Sequence, residues 1–338
     1  MEIKETVCAV VVTYNRKELL IECLDALLKQ TRPIDAMYII DNFSNDGTSE
    51  LLKEKGYITE LPPENIRVPW EKEFEVKNLL NGSSVKVYYM RMNENIGGAG
   101  GFHEGVKRGY ERGYDWLWLM DDDAEPDTES LYLLSKHFED QSIVGLAGTV
   151  LRPDNSIAIN HRGKVDYTNM FPLIEKPLDE IEYTKSSCDI HVASFVGLLI
   201  RSTAVKKIGY PNKEYFIHND DFEYCLRLSK VGKIKLIPSS KILHKEASKQ
   251  TIKERVPLSK LWLSYYGRRN QISLVRKYST NKLKLYFQIL ISLSRSIVGI
   301  ILYDDHKIKR IKFVISSVLD GFTDTFDNDK PKRILGLK

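Results

Sequence analysis

The sequence predicts an α/β fold: a mostly parallel sheet flanked by helices, followed by a basic helical C-terminal region. Three observations carry that prediction. Apolar runs of strand length alternate with helically spaced apolar stripes through roughly the first 150 residues. The strand-like runs are apolar throughout, as strands covered on both faces and joined by right-handed crossovers must be. Beyond about residue 255 the pattern turns helical and basic. At 338 residues the chain is long enough to bury a large core.

The elements follow in order. Val7–Thr13 is an apolar run of strand length. Residues 17–30 carry Leu19, Leu20, Cys23, Leu24, Leu27 and Leu28 at helical spacing, with Asn15 placed to cap them. Residues 36–40 form a second strand ending in Asp41-Asn42, and Asn45-Asp46-Gly47 marks a turn into a short helix. Residues 57–84, with Pro62-Pro63, Pro69 and Trp70, fit no strand-helix rhythm and read as an inserted loop or flap. Residues 85–90, 116–120 and 143–150 are three more strands, the first followed by a glycine-rich turn and a helix. Residues 152–190 look irregular, with short strands, and 192–200 resume a strand pattern before a short helix. Residues 235–243 are strand-like despite Pro238. Polar residues that follow such strands collect at one sheet edge, where open α/β sheets bind ligands.

Composition narrows the function classes. Cys8, Cys23, Cys188 and Cys225 lack metal-ligand or CxxC spacing and read as reduced core residues of a cytosolic protein. Residues 1–6 are charged and lead directly into a strand, against a secretory signal. The net charge of +4 hides an asymmetry: residues 1–227 hold 26 Lys and Arg against 38 Asp and Glu, whereas 228–338 hold 24 against 8. A tail of net +16 suits an anionic surface. Nucleic acid is the weaker partner, because the tail interleaves its charges with long aliphatic runs rather than stacking aromatics. Residues 283–303 are nearly continuously apolar, yet Arg295 close to the middle would cost about 2.5–3.5 kcal/mol at a bilayer centre. A packed helix, an oligomer contact, or a helix lying in the headgroup plane beside Lys307, Lys309, Arg310 and Lys312 is therefore expected over a spanning one.

The junction of Trp116-Leu117-Trp118-Leu119-Met120 with Asp121-Asp122-Asp123 bears the most chemistry. Three carboxylates at a sheet edge repel one another unless a cation sits among them. Mg²⁺ or Mn²⁺ carrying a substrate's phosphates suits such an open oxygen site. A strand followed by an acidic helix cap, with Asp127 and Glu129 ahead of the next apolar stripe, explains the run equally well on its own. A second acidic cluster, His218-Asn219-Asp220-Asp221-Phe222-Glu223, stands where another helical stripe begins. A carboxylate there is held as an anion by unpaired N–H groups and can accept a proton, though ordinary capping is the commoner use. Alone, His244 reads more simply as structural than as a ligand. Neither GxGxxG nor GxxxxGK[ST] occurs, which demotes dinucleotide enzymes and P-loop NTPases.

Taken together, Val10-Val11-Val12-Thr13-Tyr14-Asn15-Arg16, Ile39-Ile40-Asp41-Asn42, Asn95-Ile96-Gly97-Gly98, Asp121-Asp122-Asp123, Phe216-Ile217-His218-Asn219-Asp220-Asp221-Phe222-Glu223-Tyr224 and His244 resemble family 2 glycosyltransferases in order and spacing over roughly residues 6–275. The chain looks like the branch containing galactofuranosyltransferases and rhamnosyltransferases, and its triple Asp after a GGAGGF run is closer to the former. The resemblance implies a GT-A, Rossmann-like catalytic domain over 1–254, with a nucleotide-sugar half to about 125 and an acceptor half from about 126. Residues 255–338 would then be a basic helical region.

By the same resemblance, Thr13, Tyr14, Asn15 and Asp41 hold the nucleobase and ribose, and Asn95 and Gly97 line the nucleotide pocket. Asp121 and Asp122 contact the nucleotide sugar. Asp121, Asp123 and His244 hold Mn²⁺ or Mg²⁺, the nitrogen ligand favouring Mn²⁺ somewhat. Asp221 is the general base and Asp220 positions the acceptor hydroxyl. Arg268 and Arg269 either reach a diphosphate or form a solvated basic face. The implied activity is inverting, metal-dependent transfer from UDP-galactofuranose to a hydroxyl of a cell-surface or lipid-diphosphate-linked glycan. Transfer from dTDP-rhamnose, or nucleotide-sugar binding without catalysis, are the alternatives. A nucleotidyltransferase should instead show a glycine-rich basic loop after the first strand. The basic tail and the apolar run at 283–303, rather than the resemblance, point to a cytoplasmic location, peripheral on the inner face of an anionic plasma membrane, with the C-terminal helices available for self-association.

Overall fold

The computed structural model describes residues 5–245 and 256–337. The sequence begins with β1 (Val7–Thr13), α1 (Lys17–Leu28), β2 (Ala36–Asp41) and α2 (Thr48–Glu54). All residues of β1 and β2 are buried, as their unbroken apolar character requires. One local expectation fails at α1. Asn15 does not cap it; its Oδ1 accepts from Asn45 N, and the Lys17 N–H is met by Asp46 Oδ2 at 3.1 Å. With φ of 54°, Asn15 lies in the left-handed region, which turns its side chain toward the next loop.

β3 (Trp70–Lys77), ahead of β4 (Ser84–Arg91), corrects the reading of residues 57–84 as an inserted loop or flap. β3 pairs antiparallel with β4 and forms one edge of the sheet. Its alternation, Trp-Glu-Lys-Glu-Phe-Glu-Val-Lys, buries one face only partly, and charges on the other face protect the edge. α3 (Gly97–Glu111) takes the glycine run into its first turn instead of leaving it as a turn before the helix. A Cβ on Gly105 would stand 2.2 Å from Val10 Cγ1, so these glycines let α3 lie directly on β1.

The chain continues through β5 (Trp116–Asp121), β6 (Ala124–Pro126), α4 (Ser130–Ser135), β7 (Ile143–Leu151), β8 (Arg162–Lys164), β9 (Lys176–Pro177), β10 (Cys188–Ile190), β11 (Val192–Ala193), β12 (Leu198–Arg201), α5 (Ser202–Ile208), α6 (Asp220–Leu228) and β13 (Lys233–His244). Residues 192–200 are thus two strands in different sheets, not one; Gly197, at φ 76°, breaks the run between them. The main sheet runs β10-β13-β7-β12-β5-β1-β2-β4-β3, with β6 against β13. β4, β2, β1, β5, β7 and β13 point the same way, while β12, β3, β10 and β6 are reversed. The expected mostly parallel α/β sheet is therefore present, with the C-terminal ends of β1, β2 and β5 on one edge. The four cysteines are buried and free.

A helical region completes the fold: α7 (Leu258–Leu261), α8 (Leu263–Tyr278), α9 (Lys282–Tyr303), α10 (Lys307–Thr323) and α11 (Lys330–Leu335). The expected boundary at 254/255 lies outside the described residues. α9 is not a core helix: Leu285, Ile289 and Ile300 are buried, but Leu283, Phe287 and Leu290 are exposed. By length and composition it is long and apolar enough to cross a membrane.

Candidate active site

Strand registry explains how residues far apart in sequence meet. β5 ends at Asp121, two residues turn, and β6 pairs antiparallel with the end of β13, placing His244 opposite Ala124. The Lys245 N–H then donates to Asp123 O at 2.9 Å, closing the ladder one residue further. His244 Nε2 consequently lies 3.0 Å from Asp123 Oδ1. One ligand atom from each of Asp121, Asp123 and His244 falls within 4.8 Å of the others. Two carboxylate oxygens and an imidazole nitrogen at that spacing fit a divalent cation.

Charge in this corner is crowded. Burial, then neighbouring Asp123, pushes the Asp121 carboxyl up to about 7. Burial likewise raises Asp122 to about 6, against the pull of Arg16 and a 2.8 Å bond from Thr13 Oγ1. For Asp123 burial is outweighed by His244 and Arg16, which hold it below the usual carboxylate range. Arg16 NH1 reaches Asp123 Oδ2 at 2.8 Å and Asp122 Oδ1 at 3.3 Å, its side chain half exposed to the cavity.

A cavity of about 760 Å³ is lined both by Asp121 and Asp122 of this corner and by Asp220 and Asp221 at the start of α6. Burial raises Asp221 to about 6, with the Phe222 N–H donating to its Oδ1 at 2.8 Å. Asp220 is raised well above the ordinary range, by burial and then by Asp221. The backbone before them is strained: Phe216, His218 and Asn219 have φ of 62°, 72° and 65°. Each such residue costs about 1–3 kcal/mol and persists only where its surroundings over-determine it. Buried Asn270 on α8 supplies that restraint, its Nδ2 donating to the carbonyls of Tyr215, Ile217 and His218 at 2.9 Å each.

From the other side, the Ala99 N–H donates to Phe216 O at 3.0 Å, and Gly97 takes φ of 75° so that its backbone clears the same carbonyl. A Cβ at Gly97 would stand 2.1 Å from Phe216 O. Gly97→Ala is therefore expected to lower unfolding stability by about 1–3 kcal/mol, read from urea denaturation midpoints. An unchanged midpoint would show that the 216–219 loop is not clamped from this side.

A glycosyl transferase family 2 model matches residues 8–67 and 73–209 of the sequence. The chain belongs to glycosyl transferase family 2. It is 30% identical over 234 residues to galactofuranosyltransferase GlfT1 of Mycolicibacterium smegmatis, covering 68% of this chain and 67% of that protein. It is 25% identical over 278 residues to dTDP-rhamnosyl transferase RfbF of Shigella flexneri, covering 80% and 91%. Among solved structures, GalNAc-T7 with UDP, GalNAc and Mn²⁺ superposes with a TM-score of 0.58 at 16% identity, over 97% of this chain and 59% of that one. That likeness concerns the fold. The chain spans about two thirds of the GlfT1 length and less of GalNAc-T7.

Other residues expected at the site of this family 2 glycosyltransferase fall around the same edge. Thr13 ends β1 beneath Asp122. Asn15 and exposed Tyr14 follow it, Asn15 N donating to Ser44 Oγ at 3.0 Å. Asp41 is fully buried, accepting from Tyr89 Oη and Arg91 NH1 at 2.7 Å and from Ser44 N at 2.8 Å, so both its oxygens fasten the loop after β2. Asn95 Oδ1 accepts from Gly97 N and from Asn42 Nδ2, tying that loop to the start of α3. Arg269 is a buried structural residue: it bonds Asn270, Asn328 and the Tyr215 carbonyl and stacks near Tyr266 and Phe326. It is neither a diphosphate contact nor a solvated face. Arg268 lines a separate cavity.

Three residues at the site were not singled out by sequence reasoning. Arg16 ends the Val10–Arg16 motif, and nothing in that motif gives it a role. His161, at 2.7 Å from Ser194 Oγ and edge-on to His244, lies in a stretch without periodicity. Asn270 follows two arginines in a helical pattern, and nothing local marks it as a loop clamp.

Proposed function

We propose that this protein transfers a sugar, with inversion, from a nucleoside diphosphate donor to a hydroxyl of a cell-surface or lipid-linked glycan. UDP-galactofuranose is the favoured donor and dTDP-rhamnose the second, matching what the names of the two relatives say of those proteins. The observation that carries the reading is the Asp121, Asp123 and His244 cluster, whose Asp121 lines the same cavity as Asp221. The distance in sequence between the two makes a purely local capping explanation insufficient.

Departure of the diphosphate breaks the bond from the anomeric carbon to the phosphate oxygen and leaves negative charge on that oxygen. Bound Mn²⁺ or Mg²⁺, held by Asp121, Asp123 and His244, would supply the electrostatic stabilisation of that charge. Arg16 adds a guanidinium at the same corner, kept charged by the three aspartates against the effect of burial. On the far side Asp221 accepts the proton of the acceptor hydroxyl as its oxygen bonds to the anomeric carbon. Asp220, whose protonated form is favoured by burial, lies beside Asp221 to orient the acceptor hydroxyl. One displacement with one base inverts the centre, by the same two-sided logic as inverting glycosidases.

Turnover of a panel of UDP- and dTDP-sugars, with and without EDTA, tests this. Metal-dependent consumption of one donor is expected; tight nucleotide-sugar binding with no turnover for any of them would leave a binding module instead.

The proposed location is the cytoplasmic face of an anionic membrane. α9 exposes Leu283 (84%), Phe287 (63%) and Leu290 (59%), and α10 exposes Ile308 (85%), flanked by Lys282, Lys284, Lys307, Lys309 and Lys312. Apolar side chains ringed by lysines complement an anionic bilayer interface. Burial of Leu285, Ile289 and Ile300 against the protein favours lying in the interface over spanning. In flotation the protein is expected to rise with vesicles of phosphatidylcholine and phosphatidylglycerol, and Phe287→Asp with Leu290→Asp to stay at the bottom. Sedimentation as a dimer that the double substitution dissociates, without flotation, would assign the face to self-association.

A further inference from the structure

A second cavity, of about 260 Å³, lies between α8, α9, α10 and the Phe171-Pro172 segment. Its walls include Phe171, Ile272, Ile289, Leu293 and Val318, and its one charged side chain is Arg268. Ser264 and Gln271 line both this cavity and the catalytic cleft, so the two spaces adjoin. They adjoin near Gly267, whose carbonyl accepts from Asn219 Nδ2 at 3.2 Å, two residues before Asp221. The second cavity thus adjoins the cleft beside α8 and the turn that leads into Asp220 and Asp221.

Arg268 is a cation without a counterion here. Among the described residues no carboxylate pairs with it, and its hydrogen bond, NH1 to Ser317 Oγ, is long at 3.4 Å. Burial alone pulls its pKa below the ordinary value, with no acidic neighbour opposing. Arg269 next to it spends its donors on carbonyls and side-chain oxygens. A half-buried guanidinium with no carboxylate beside it suits an anion, and its planar fork matches phosphate. The surrounding wall asks for hydrocarbon. α9 supplies Ile289 and Leu293 to the cavity, and the same helix exposes Phe287 and Leu290 to the surface.

We propose that the cavity holds the phosphate head and first chain carbons of a phosphorylated lipid that carries the sugar acceptor, with Arg268 pairing the phosphate between apolar walls. The proposal rests on the glycosyl-transfer reading for the word acceptor, and on the cavity itself for the lipid phosphate. A donor diphosphate fits poorly, since it needs the metal corner and has no hydrocarbon for Ile289 and Leu293.

Dodecyl phosphate, kept below its micelle concentration, serves as probe in isothermal titration of the full-length protein, with inorganic phosphate and dodecanol as single-feature controls. Dodecyl phosphate is expected to bind at least about tenfold more tightly than either control, and Arg268→Gln to weaken it about tenfold or more, as loss of a charge-assisted pair implies. Arg268→Lys is expected to keep most of the affinity, and Leu293→Trp, which fills the cavity, to abolish binding. Equal affinity of wild type and Arg268→Gln, or equal affinity for dodecyl phosphate and inorganic phosphate, overturns the site. Wild-type donor turnover in the same preparation tests the transfer reading separately: its absence overturns that reading and leaves the binding comparison intact.

Discussion

Asp221→Asn is expected to lower kcat by about 10²–10⁴-fold while donor affinity stays close to that of the wild type, because a general base contributes on that scale and binds no part of the nucleotide. The substitution keeps the shape of the side chain and the oxygen that accepts from Phe222 N–H. It removes the basicity and the charge together. In the wild type, burial places the Asp221 carboxyl at about 6, so the ionised base prevails above that pH and is protonated below it. The rate should therefore fall about tenfold for each pH unit below about 6, and this limb should vanish in Asp221→Asn. Stability should move the opposite way. A carboxyl whose folded pKa is raised binds more protons folded than unfolded, so its ionisation costs stability as pH rises from its ordinary value, 3.8, to about 6, and the full cost remains at pH 7. Asp221→Asn is thus expected to melt at pH 7 no lower than the wild type. A variant that loses activity together with stability would point to a structural role for Asp221; one that keeps its activity would remove the base.

Much of the fold was legible because β1, β2, β4 and β5 are buried and hydrophobicity dominates their sequences. β3 escaped because Glu and Lys alternate with Trp, Phe and Val on a half-covered edge, which resembles a solvated loop in composition. The placement of β12 between β5 and β7 had no local signal, since it is a pairing across many residues of chain. At the site, acidic clusters marked both walls, but only the resemblance joined His244 to Asp121 and Asp123. The physical cause is the pairing of β6 with β13, which no periodicity encodes. The positive φ angles at Phe216, His218 and Asn219 were invisible for another reason. His and Asn adopt such angles more readily than most residues, but Phe216 does not, and its conformation is held by Asn270 and Gly97 from outside the segment.

Removing the metal corner is expected to have the second large effect. His244→Ala and Asp123→Asn should each reduce turnover by on the order of 10³-fold, since a bound cation supplies several kcal/mol to the leaving charge. EDTA should bring the wild type to the same level. A structural His244 would also lower activity if its loss disturbed the end of β13, so a readout independent of turnover is needed. Metal that binds only the folded state stabilises it by about 2.7 kcal/mol at a hundred times its dissociation constant. Added Mn²⁺ should therefore raise the melting temperature of the wild type and leave that of His244→Ala unmoved. Two features of this corner favour such a response: burial and Asp123 press Asp121 up to about 7, and Arg16 pairs with Asp122 and Asp123. A divalent ion would relieve the first and release the second, freeing Arg16 for the diphosphate. If Mn²⁺ shifts neither protein and EDTA leaves turnover intact, Arg16 itself is the cation of this corner. Arg16→Ala should then carry the loss that His244→Ala does not.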